Sequence, residues 1–228
     1  MRSKRSTNGP VTRGAAAGKR RDGIFLALHD CIIEKGYART SLADVARAAG
    51  MSPSHLLYYF AGKDAILAQY FAYMTNRIIN RLDSFRTETP ERQIHLLANL
   101  FFAGRGVTRA EIGFMLECFG VAVHDPELRR QKTELDRYCK AYMRELFEQS
   151  PCGPAKAADA AEIAYALLVG LRTIAYFDER LGSQQALEIF RGEVLSIANS
   201  KRSVTRRAPP RADSGATRRN GRPSAVQA

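Results

Sequence analysis

Residues 40–63 carry a series of helix-boundary signals that leaves little freedom in how the chain folds there. Ser41 begins an S-x-x-D pattern, the signature of a capping box at the start of a helix. Gly50 ends that helix, because glycine adopts the positive φ that a tight turn needs. Ser52 then caps a second helix whose first residue is Pro53, where a missing N–H costs nothing. The stretch therefore predicts two short helices joined by a tight turn, a helix-turn-helix.

Apolar positions within and before this stretch predict how the helices pack. Ala46 is small where the two short helices meet, and Leu56 places an apolar side chain in a shared core. A preceding helix from about Lys19 to Lys35 is predicted by a helical repeat of apolar residues and by Gly36, which suits the left-handed residue that follows a helix. The repeat consists of Ile24, Leu28, Cys31 and Ile32.

Helical periodicity continues to about residue 199, and no strand-like alternation stands out. A long helix is predicted from Gly62 to about Arg86. Further helices are predicted at about 91–104, 109–123, 127–149, 157–181 and 184–199, with breaks at Thr89-Pro90, Gly104-Arg105-Gly106, Asp125-Pro126, Ser150-Pro151-Cys152-Gly153-Pro154 and Gly182-Ser183. The predicted fold is all-α, with an N-terminal three-helix helix-turn-helix domain over 19–66 and a larger helical domain over 67–199.

The basic residues lie mainly at the two ends of the chain, whose formal net charge is +12. Residues 1–21 hold seven basic residues and no acid, and residues 201–228 hold eight against one acid, so residues 22–200 are nearly neutral. We expect a disordered basic arm over 1–18 and a disordered basic tail over 200–228. Such ends suit a polyanion, because neutralised phosphates release counterions. A solvated tail that keeps the protein in solution is the alternative.

The sequence disfavours several functional classes. No apolar run approaches the ~18 residues of a membrane span, and no hydrophobic segment follows the basic N-terminus as in a secretory signal. The four cysteines are widely spaced without a CxxC pair, which favours a reduced cytoplasm over disulfides. The histidines are scattered, no HExxH or GxSxG motif occurs, and Gly14 to Lys19 departs from a P-loop. We therefore expect no catalytic residue, no metal, no cofactor and no membrane partner.

Residues 40–67 resemble the helix-turn-helix motif of the TetR family of bacterial transcriptional regulators. The matching residues are Thr40-Ser41, Val45-Ala46, Ala49-Gly50-Met51-Ser52, Leu56, Tyr59-Phe60, Lys63 and Ile66-Leu67. The match is strong over about residues 20–70 and rests beyond that on size, helical content and a C-terminal helix pair. The sequence departs from the family pattern at Ser54, where glycine is usual, and at Leu57, where an aromatic residue is usual. The resemblance implies a sequence-specific DNA-binding regulator, most simply a homodimeric repressor released by a ligand.

The N-terminal residues of the second short helix are expected to face base edges in the major groove of double-stranded operator DNA. The side chains placed there are Pro53, Ser54, His55 and Leu57. The serine and the histidine can hydrogen-bond to bases, whereas the leucine can contact only a thymine methyl group. A solvent-facing role is the alternative for the histidine. Because this helix has no Arg, Lys, Asn or Gln, further specificity is expected from Arg47 and, in a minor groove, from Arg20 and Arg21.

The resemblance also implies phosphate contacts, which fix the position of a protein on the duplex. They are assigned to Thr40, to Tyr58 or Tyr59, and to Lys63, with the capping residues Ser41 and Ser52 in the same interface. Lys63 lies in the first turn of a helix, where the macrodipole disfavours a cation unless a phosphate is close. The alternative is an exposed lysine offset by Asp64. One of the two tyrosines is expected to pack beneath the helix.

The last two predicted helices form the expected dimer seam. Two apolar stripes follow helical spacing, and the resemblance implies a four-helix bundle between two subunits. The stripe residues are Ala161, Tyr165, Leu168, Leu187, Phe190 and Val194. The alternative is that both stripes pack inside one subunit.

Aromatic residues in the middle of the chain predict a site for a small, mostly apolar effector. The candidate residues are Phe101, Phe114, Glu117, Cys118, Tyr138, Tyr142 and Arg172. Glu117 and Arg172 stand in apolar runs, where a buried charge needs a partner. They could pair with each other in a structural salt bridge, or bind the polar end of the effector.

Three other functional interpretations stay open at this point. The protein could be a regulator that is insensitive to ligands, or an activator rather than a repressor. It could also be an architectural protein that binds DNA without sequence preference. The basic ends favour the architectural protein, whereas the large and nearly neutral middle of the chain does not.

Overall fold

The computed structural model describes residues 10–103, 108–178 and 180–200, with side chains described from residue 18 onward. Over these ranges the chain forms nine helices and no strand, which confirms the predicted all-α fold. In chain order they are α1 (Pro10–Lys35), α2 (Leu42–Ala48), α3 (Pro53–Tyr59), α4 (Lys63–Phe85), α5 (Pro90–Phe102), α6 (Arg109–Ala122), α7 (Pro126–Glu148), α8 (Pro154–Phe177) and α9 (Ser183–Asn199). The predicted break at Gly104-Arg105-Gly106 lies outside the described residues.

Helix α1 begins earlier than the sequence predicts. Its first residue is Pro10 rather than a residue near Lys19, so the backbone of 10–18 is helical where the composition predicts a disordered arm. Proline suits the first helical position, and the run of three alanines that follows has the highest helix propensity. These preferences outweigh the glycines and the clustered charge. The rest of the predicted disordered ends, 1–9 and 201–228, lies outside the described residues.

The predicted boundary signals of α2 and α3 are all made. The Oγ of Ser41 accepts the N–H of Asp44 at 3.2 Å, and the Asp44 carboxylate accepts the N–H of Ser41 at 2.9 Å, which completes the capping box. Gly50 has a φ of 65°, as the turn requires. The Oγ of Ser52 accepts the N–H of His55 at 3.2 Å and caps α3.

Helices α1 to α3, here called the head, pack around fully buried side chains from each helix. Ile24 and Leu28 of α1, Ala46 of α2 and Leu56 of α3 are each 0% exposed. Burying one Leu or Ile side chain stabilises a fold by about 1.5–3 kcal/mol. Helix α3 is therefore held firmly by one face, which leaves its other face free.

Helices α4 to α9, here called the body, are joined to the head by two helices. Helix α4 runs without interruption across the boundary predicted at residue 66, packing against α1 in the head and against α5 and α7 in the body. Helix α6 also packs against α1, as well as against α7 and α8. Within the body, α8 packs chiefly against α7 and α9. Helix α5 packs against α9, where the ring centroids of Phe102 and Phe190 lie 5.3 Å apart.

The body helices lie close to their predicted bounds, with the largest difference at α8. The sequence predicts this helix over 157–181, and it runs from Pro154 to Phe177. Pro154 takes the first helical position, which suits proline. At the other end, Asp178 has extended backbone angles and stops the helix.

The two stripes predicted as a dimer seam are packed inside the subunit, as the alternative interpretation of them expects. Their residues are buried (Ala161, Leu168, Leu187, Phe190 and Val194) or partly buried (Tyr165). The physical reason is that α8 is apolar on two faces. The stripe that helical spacing predicted lies on the face that packs against the core. The second face remains exposed through Ile163, Ile174 and Phe177.

Candidate DNA interface and effector cavity

Helix α3 presents an exposed face opposite its buried anchor. Leu56 is 0% exposed, whereas Leu57 is 50% exposed and Tyr58 is 83% exposed. The first turn of the helix, from Pro53 to His55, is exposed as well. The predicted base-facing residues therefore share one open surface on a helix that cannot easily turn.

The structure separates the roles of the two tyrosines at the end of α3. Tyr59 is partly buried and packs near His55, with ring centroids 5.5 Å apart. The ring of Tyr58 meets that of Tyr59 edge-on at 5.3 Å and otherwise faces outward. Tyr59 is thus the one that packs beneath the surface, and Tyr58 is the one whose hydroxyl is free to reach a DNA backbone.

The predicted arginines differ in how freely they can move. Arg20 is exposed, and the side chain of Arg47 is 79% exposed with one long contact to an acid of its own helix. Arg21 is held more closely, since its Nη2 donates to Oε1 of Gln69 at 3.1 Å and its guanidinium lies 5.5 Å from the ring centroid of Phe60. Arg20 and Arg47 are therefore the more available cations of the head.

Two side chains predicted to bind phosphate are used inside the protein instead. Thr40 is 2% exposed, and its hydroxyl donates to the carbonyl oxygens of Gly36 at 2.9 Å and Cys31 at 3.2 Å. The Nζ of Lys63 donates to the carbonyl oxygens of Tyr37 at 2.9 Å and Thr40 at 2.8 Å. Lys63 is therefore not a plain exposed lysine, and two of its three N–H donors are used within the head. It ties the start of α4 to the loop between α1 and α2.

The capping acid of α2 also ties the head together. The Oδ2 of Asp44 lies 2.6 Å from Nζ of Lys35 at the end of α1 and accepts the Ser41 hydroxyl at 2.6 Å. The Lys35 ammonium, followed by the Ser41 hydroxyl and backbone N–H, holds the pKa of the Asp44 carboxyl well below its usual range. Ser41 and Ser52 are exposed, but both hydroxyls serve as caps.

Helices α4 to α8 line a mostly apolar cavity in the body. Its volume is about 60 Å³. Its apolar lining includes Ile78, Phe101, Met115, Phe119 and Leu168. Ligand pockets usually measure about 300–1,000 Å³. The cavity is smaller than such a pocket, so its walls must move apart to admit a ligand.

A compact polar group stands in the wall of this cavity. Lys132 and Asp136 lie one turn apart on α7, and the lysine Nζ is 2.6 Å from both carboxylate oxygens. The hydroxyl of Tyr165 on α8 donates to the same carboxylate. Burial and this hydrogen bond raise the pKa of Tyr165, so the phenol stays protonated. The ammonium of Lys132 also lies 4.6 Å from the ring centroid of Phe119.

Two of the predicted effector residues, Phe101 and Arg172, line the cavity. Phe114 lies in a neighbouring groove, which Arg172 lines as well. The sequence prediction missed the Lys132–Asp136 pair. An opposite-charge pair at i, i+4 spacing is usually a solvated helix surface, so its sequence gives no sign that it faces a cavity.

The other aromatic and thiol residues predicted for the effector belong to the core or to a separate surface. Cys118 and Tyr142 are each 1% exposed, and the Tyr142 hydroxyl donates to Oε1 of Gln93 at 2.6 Å. The hydroxyl of Tyr138 donates to Asp83 on α4. None of the three lines the cavity among α4 to α8.

Of the two alternatives for Glu117 and Arg172, the mutual salt bridge is not formed. Glu117 is exposed on α6, and its Oε2 accepts the backbone N–H of Tyr37 at 3.0 Å. A second contact joins the same helix to the head, since Nε2 of His29 on α1 lies 3.0 Å from Oε2 of Glu111 on α6. Helix α6 thus contacts the head with polar side chains and lines the cavity with apolar ones.

A firmly anchored short helix with an open face, carried on a larger helical body, defines a helix-turn-helix DNA-binding protein. The family model described as "Bacterial regulatory proteins, tetR family" matches residues 24–70. The model described as "BetI-type transcriptional repressor, C-terminal" matches residues 90–198. The chain belongs to the TetR family of bacterial transcriptional regulators.

Individual relatives agree with this placement. The HTH-type transcriptional regulator BetI of Pectobacterium carotovorum is 28% identical over 183 residues, covering 78% of this chain and 90% of the relative. The BetI 1 regulator of Chromohalobacter salexigens is 25% identical over 122 residues, covering 52% of this chain and 60% of its own length, less than two thirds. A transcriptional regulator of Saccharomonospora viridis, solved in complex with choline, has a TM-score of 0.65 at 18% identity, over 78% of this chain and 95% of that one. These proteins are transcriptional regulators and not enzymes.

Proposed function

We propose that the chain is a homodimeric repressor that binds operator DNA through α3 and leaves it when a small, mostly apolar effector fills the cavity among α4 to α8. The observation that supports DNA binding most directly is the open face of α3, where Tyr58 is 83% exposed beside the fully buried Leu56. A tyrosine there can place its hydroxyl on a phosphate and fix the register of the helix on the duplex.

The bases are read by few side chains in this proposal. Ser54 and His55 supply hydrogen bonds, and Leu57 contacts a thymine methyl group. The strongest direct contacts, which are worth about 1–3 kcal/mol of discrimination each, come from Arg, Lys, Asn and Gln, and α3 has none of these. Arg47 therefore adds specificity by reaching the groove that α3 enters. Arg20 adds specificity by responding to the width of an adjacent minor groove.

Dimerisation is assigned to the exposed face of α8, next to α9. Ile163, Ile174 and Phe177 are 56%, 50% and 70% exposed and recur at helical spacing, and Ile189 of α9 is 37% exposed. Only 28% of the most apolar window of α8 is buried inside the subunit, and within the described chain this is the one helix long and apolar enough to cross a membrane. A second subunit is the better partner than lipid, because the other face of α8 packs against α7 and α9 and carries Arg172.

Coupling between the effector and DNA is assigned to α6. Met115 and Phe119 of this helix line the cavity, while Glu111 and Glu117 contact the head. A ligand that pushes the cavity wall outward would move these head contacts and change the distance between the two recognition helices. The half-sites of an operator lie ~34–36 Å apart, so such a shift weakens binding. The ligand can change the equilibrium only by its differential affinity for the two states.

The identity of the effector has one candidate from the comparisons. The Saccharomonospora regulator was solved with choline, and the BetI-type model matches the body of this chain. A choline-like cation is therefore one possible effector class. The chemistry of the cavity favours another class, which is argued below.

In vitro selection of DNA from a random duplex pool tests the DNA-binding part of the proposal. We expect an enriched sequence with two-fold symmetry, and an affinity that falls steeply as salt is raised. The Tyr58→Phe variant, which removes one hydroxyl, should weaken binding to all duplexes to a similar extent. Equal affinity for every duplex would identify an architectural DNA-binding protein instead.

A reporter gene behind the selected operator tests the direction of control. The proposal expects expression to rise when the gene for this protein is deleted. A fall in expression on deletion would identify an activator. Constant repression across a panel of candidate small molecules would favour a regulator that is insensitive to ligands.

A further inference from the structure

Arg172 projects from α8 between the effector cavity and the neighbouring groove, and it lines both. Within the described part of the chain its guanidinium makes no hydrogen bond or ion pair, and its one charge-directed contact is the ring of Phe101, with the centroid 5.8 Å away. At this partly buried position the guanidinium offers N–H donors that no acceptor in the described chain takes up. Burial accordingly lowers the pKa of Arg172, against smaller opposing effects of Tyr165 and Glu111.

The other charges in the cavity wall are already satisfied. The carboxylate of Asp136 accepts two hydrogen bonds from Lys132 and one from Tyr165. Lys132 and Asp136 therefore cancel each other. The positive charge of Arg172 is left over, and among the described residues of the wall it is the one charge that a ligand could neutralise.

The same arrangement disfavours a cationic head group. A quaternary ammonium ion is bound by open aromatic faces. Among the described residues of the wall, the ring of Phe101 faces Arg172 and the ring of Phe119 faces Lys132, while the Tyr165 hydroxyl is taken by Asp136. The aromatic groups of the cavity already serve resident cations.

The groove next to the cavity is also cationic. It is lined by Arg77, Arg81 and Arg172, with Glu111 as the acidic residue among its lining, and that carboxylate lies 3.0 Å from His29. Ile78, Phe101 and Met115 line both spaces and so stand between them. A groove lined with one sign of charge raises the local concentration of the opposite ion. Anions would be drawn toward the mouth of the cavity at Arg172.

We infer that the effector is an anionic amphiphile, with a carboxylate or similar monoanionic head on the Arg172 guanidinium and an apolar body in the space among α4 to α8. The inference rests on the proposal that this cavity is the effector site. A carboxylate supplies the planar pair of acceptors that matches the guanidinium fork, which is the strong form of this hydrogen bond. An apolar body matches the remainder of the wall.

Calorimetric titration of the full chain with three probes of equal chain length tests the inference without DNA. The probes are decanoate, decan-1-ol and decyltrimethylammonium, and octanoate and hexanoate extend the series to shorter bodies. We expect a carboxylate of this series to bind about tenfold or more tightly than the alcohol and the cation. Tighter binding by the cation or by choline would overturn the inference, as would failure of all three carboxylates to bind at about 1 mM.

The Arg172→Gln variant tests whether the preference for a carboxylate depends on the charge of this residue. We expect it to lose about tenfold or more in affinity for the carboxylate and to keep its affinity for decan-1-ol. Arg144→Gln, which removes an exposed arginine of α7 that pairs with Glu148, is the matched control and should change neither. Unchanged preference for the carboxylate in Arg172→Gln would overturn the assignment. If this variant does not fold by circular dichroism, the comparison of probes on the unmodified chain decides alone.

Failure of this inference and failure of the proposed function give different results. Carboxylate binding through Arg172 with no effect on operator affinity would leave the inference standing and reject release by this ligand. Absence of any sequence-specific DNA binding would reject the proposed repressor, whereas the calorimetric comparison would still decide the chemistry of the cavity.

Discussion

A Cβ placed on Gly113 of α6 would lie 2.9 Å from Cε2 of Tyr176 on α8, closer than side chains normally approach. The two helices therefore meet with the tyrosine ring against bare backbone. Farther along α6, a Cβ placed on Gly120 would meet nothing within 4 Å. Helix α6, which links the cavity to the head, therefore packs against α8 at a position where a side chain larger than that of glycine would require the Tyr176 ring to move.

These two glycines predict opposite responses to alanine. Gly120→Ala should raise the free energy of unfolding by about 0.5–1 kcal/mol, because glycine in a helix interior costs that much relative to alanine. In Gly113→Ala the Tyr176 ring must move, and overpacking of this kind costs about 1–3 kcal/mol, so we expect no gain or a net loss. Urea unfolding followed by circular dichroism measures both. Equal stabilisation of the two variants would contradict the close contact.

The bond from the Tyr37 backbone to Glu117 predicts a local loss of protection. In Glu117→Ala the amide hydrogen of Tyr37 has no acceptor there, and its exchange with solvent should be faster by about tenfold, given a charge-assisted bond at an exposed site. Hydrogen exchange followed by NMR gives the rate for that one amide. Glu193→Ala, which removes an exposed carboxylate of α9, is the control and should leave it unchanged. Equal protection in the two variants would show that α6 does not hold the loop of the head in this way.

The exposed face of α8 predicts a variant that separates the subunits. Ile163→Asp combined with Ile174→Asp would bury two unpaired charges in the proposed seam, which is strongly unfavourable. We expect the dimer to become a monomer in size-exclusion chromatography with light scattering, with helical content unchanged. Leu57→Asp is the matched control, since Leu57 of α3 is 50% exposed and belongs to the head. A dimer that survives the double substitution would place the seam elsewhere.

The pair of Lys35 and Asp44 predicts a pH dependence of stability. The pKa of Asp44 is lower in the folded chain than in the unfolded chain, so the ionised carboxylate stabilises the fold above the unfolded value of about 3.9, and this contribution is lost as the pH falls below it. Asp44→Asn should therefore lower the melting temperature at pH 7 and make less difference at pH 3. Lys35→Gln breaks the same pair from the other side and should show the same trend. If each variant lowered the melting temperature by the same amount at pH 7 and at pH 3, the result would contradict the ion pair.

The head was predictable from the sequence because its signals are local. The capping box at Ser41, the positive φ of Gly50 and the cap at Ser52 each depend on residues within one turn, and the structure makes all of them. Lys63 was not predictable in the same way. Its acceptors are the backbone carbonyls of Tyr37 and Thr40, far away along the chain, and a backbone acceptor leaves no trace in the sequence.

The body was predictable in outline and less so in detail. Helix positions follow from periodicity and from breaks such as Thr89-Pro90, but the partner of each apolar face does not. On α8 both Leu168 and Ile174 belong to apolar stripes, and only the packing tells that the first faces the core while the second is exposed. For the same reason the sequence drew attention to Arg172 but could not tell whether it pairs with Glu117, which lies at the junction with the head.

Base preference after His55→Ala tests most directly whether α3 reads the operator. Selection from a random pool should give this variant a relaxed or altered preference at one position of each half-site, with a loss of about 1–3 kcal/mol on the sequence selected by the unmodified chain. His124→Ala, which removes an exposed histidine beyond the end of α6, should select the unmodified sequence. An identical selected sequence for all three proteins would contradict the claim that the exposed face of α3 contacts the bases.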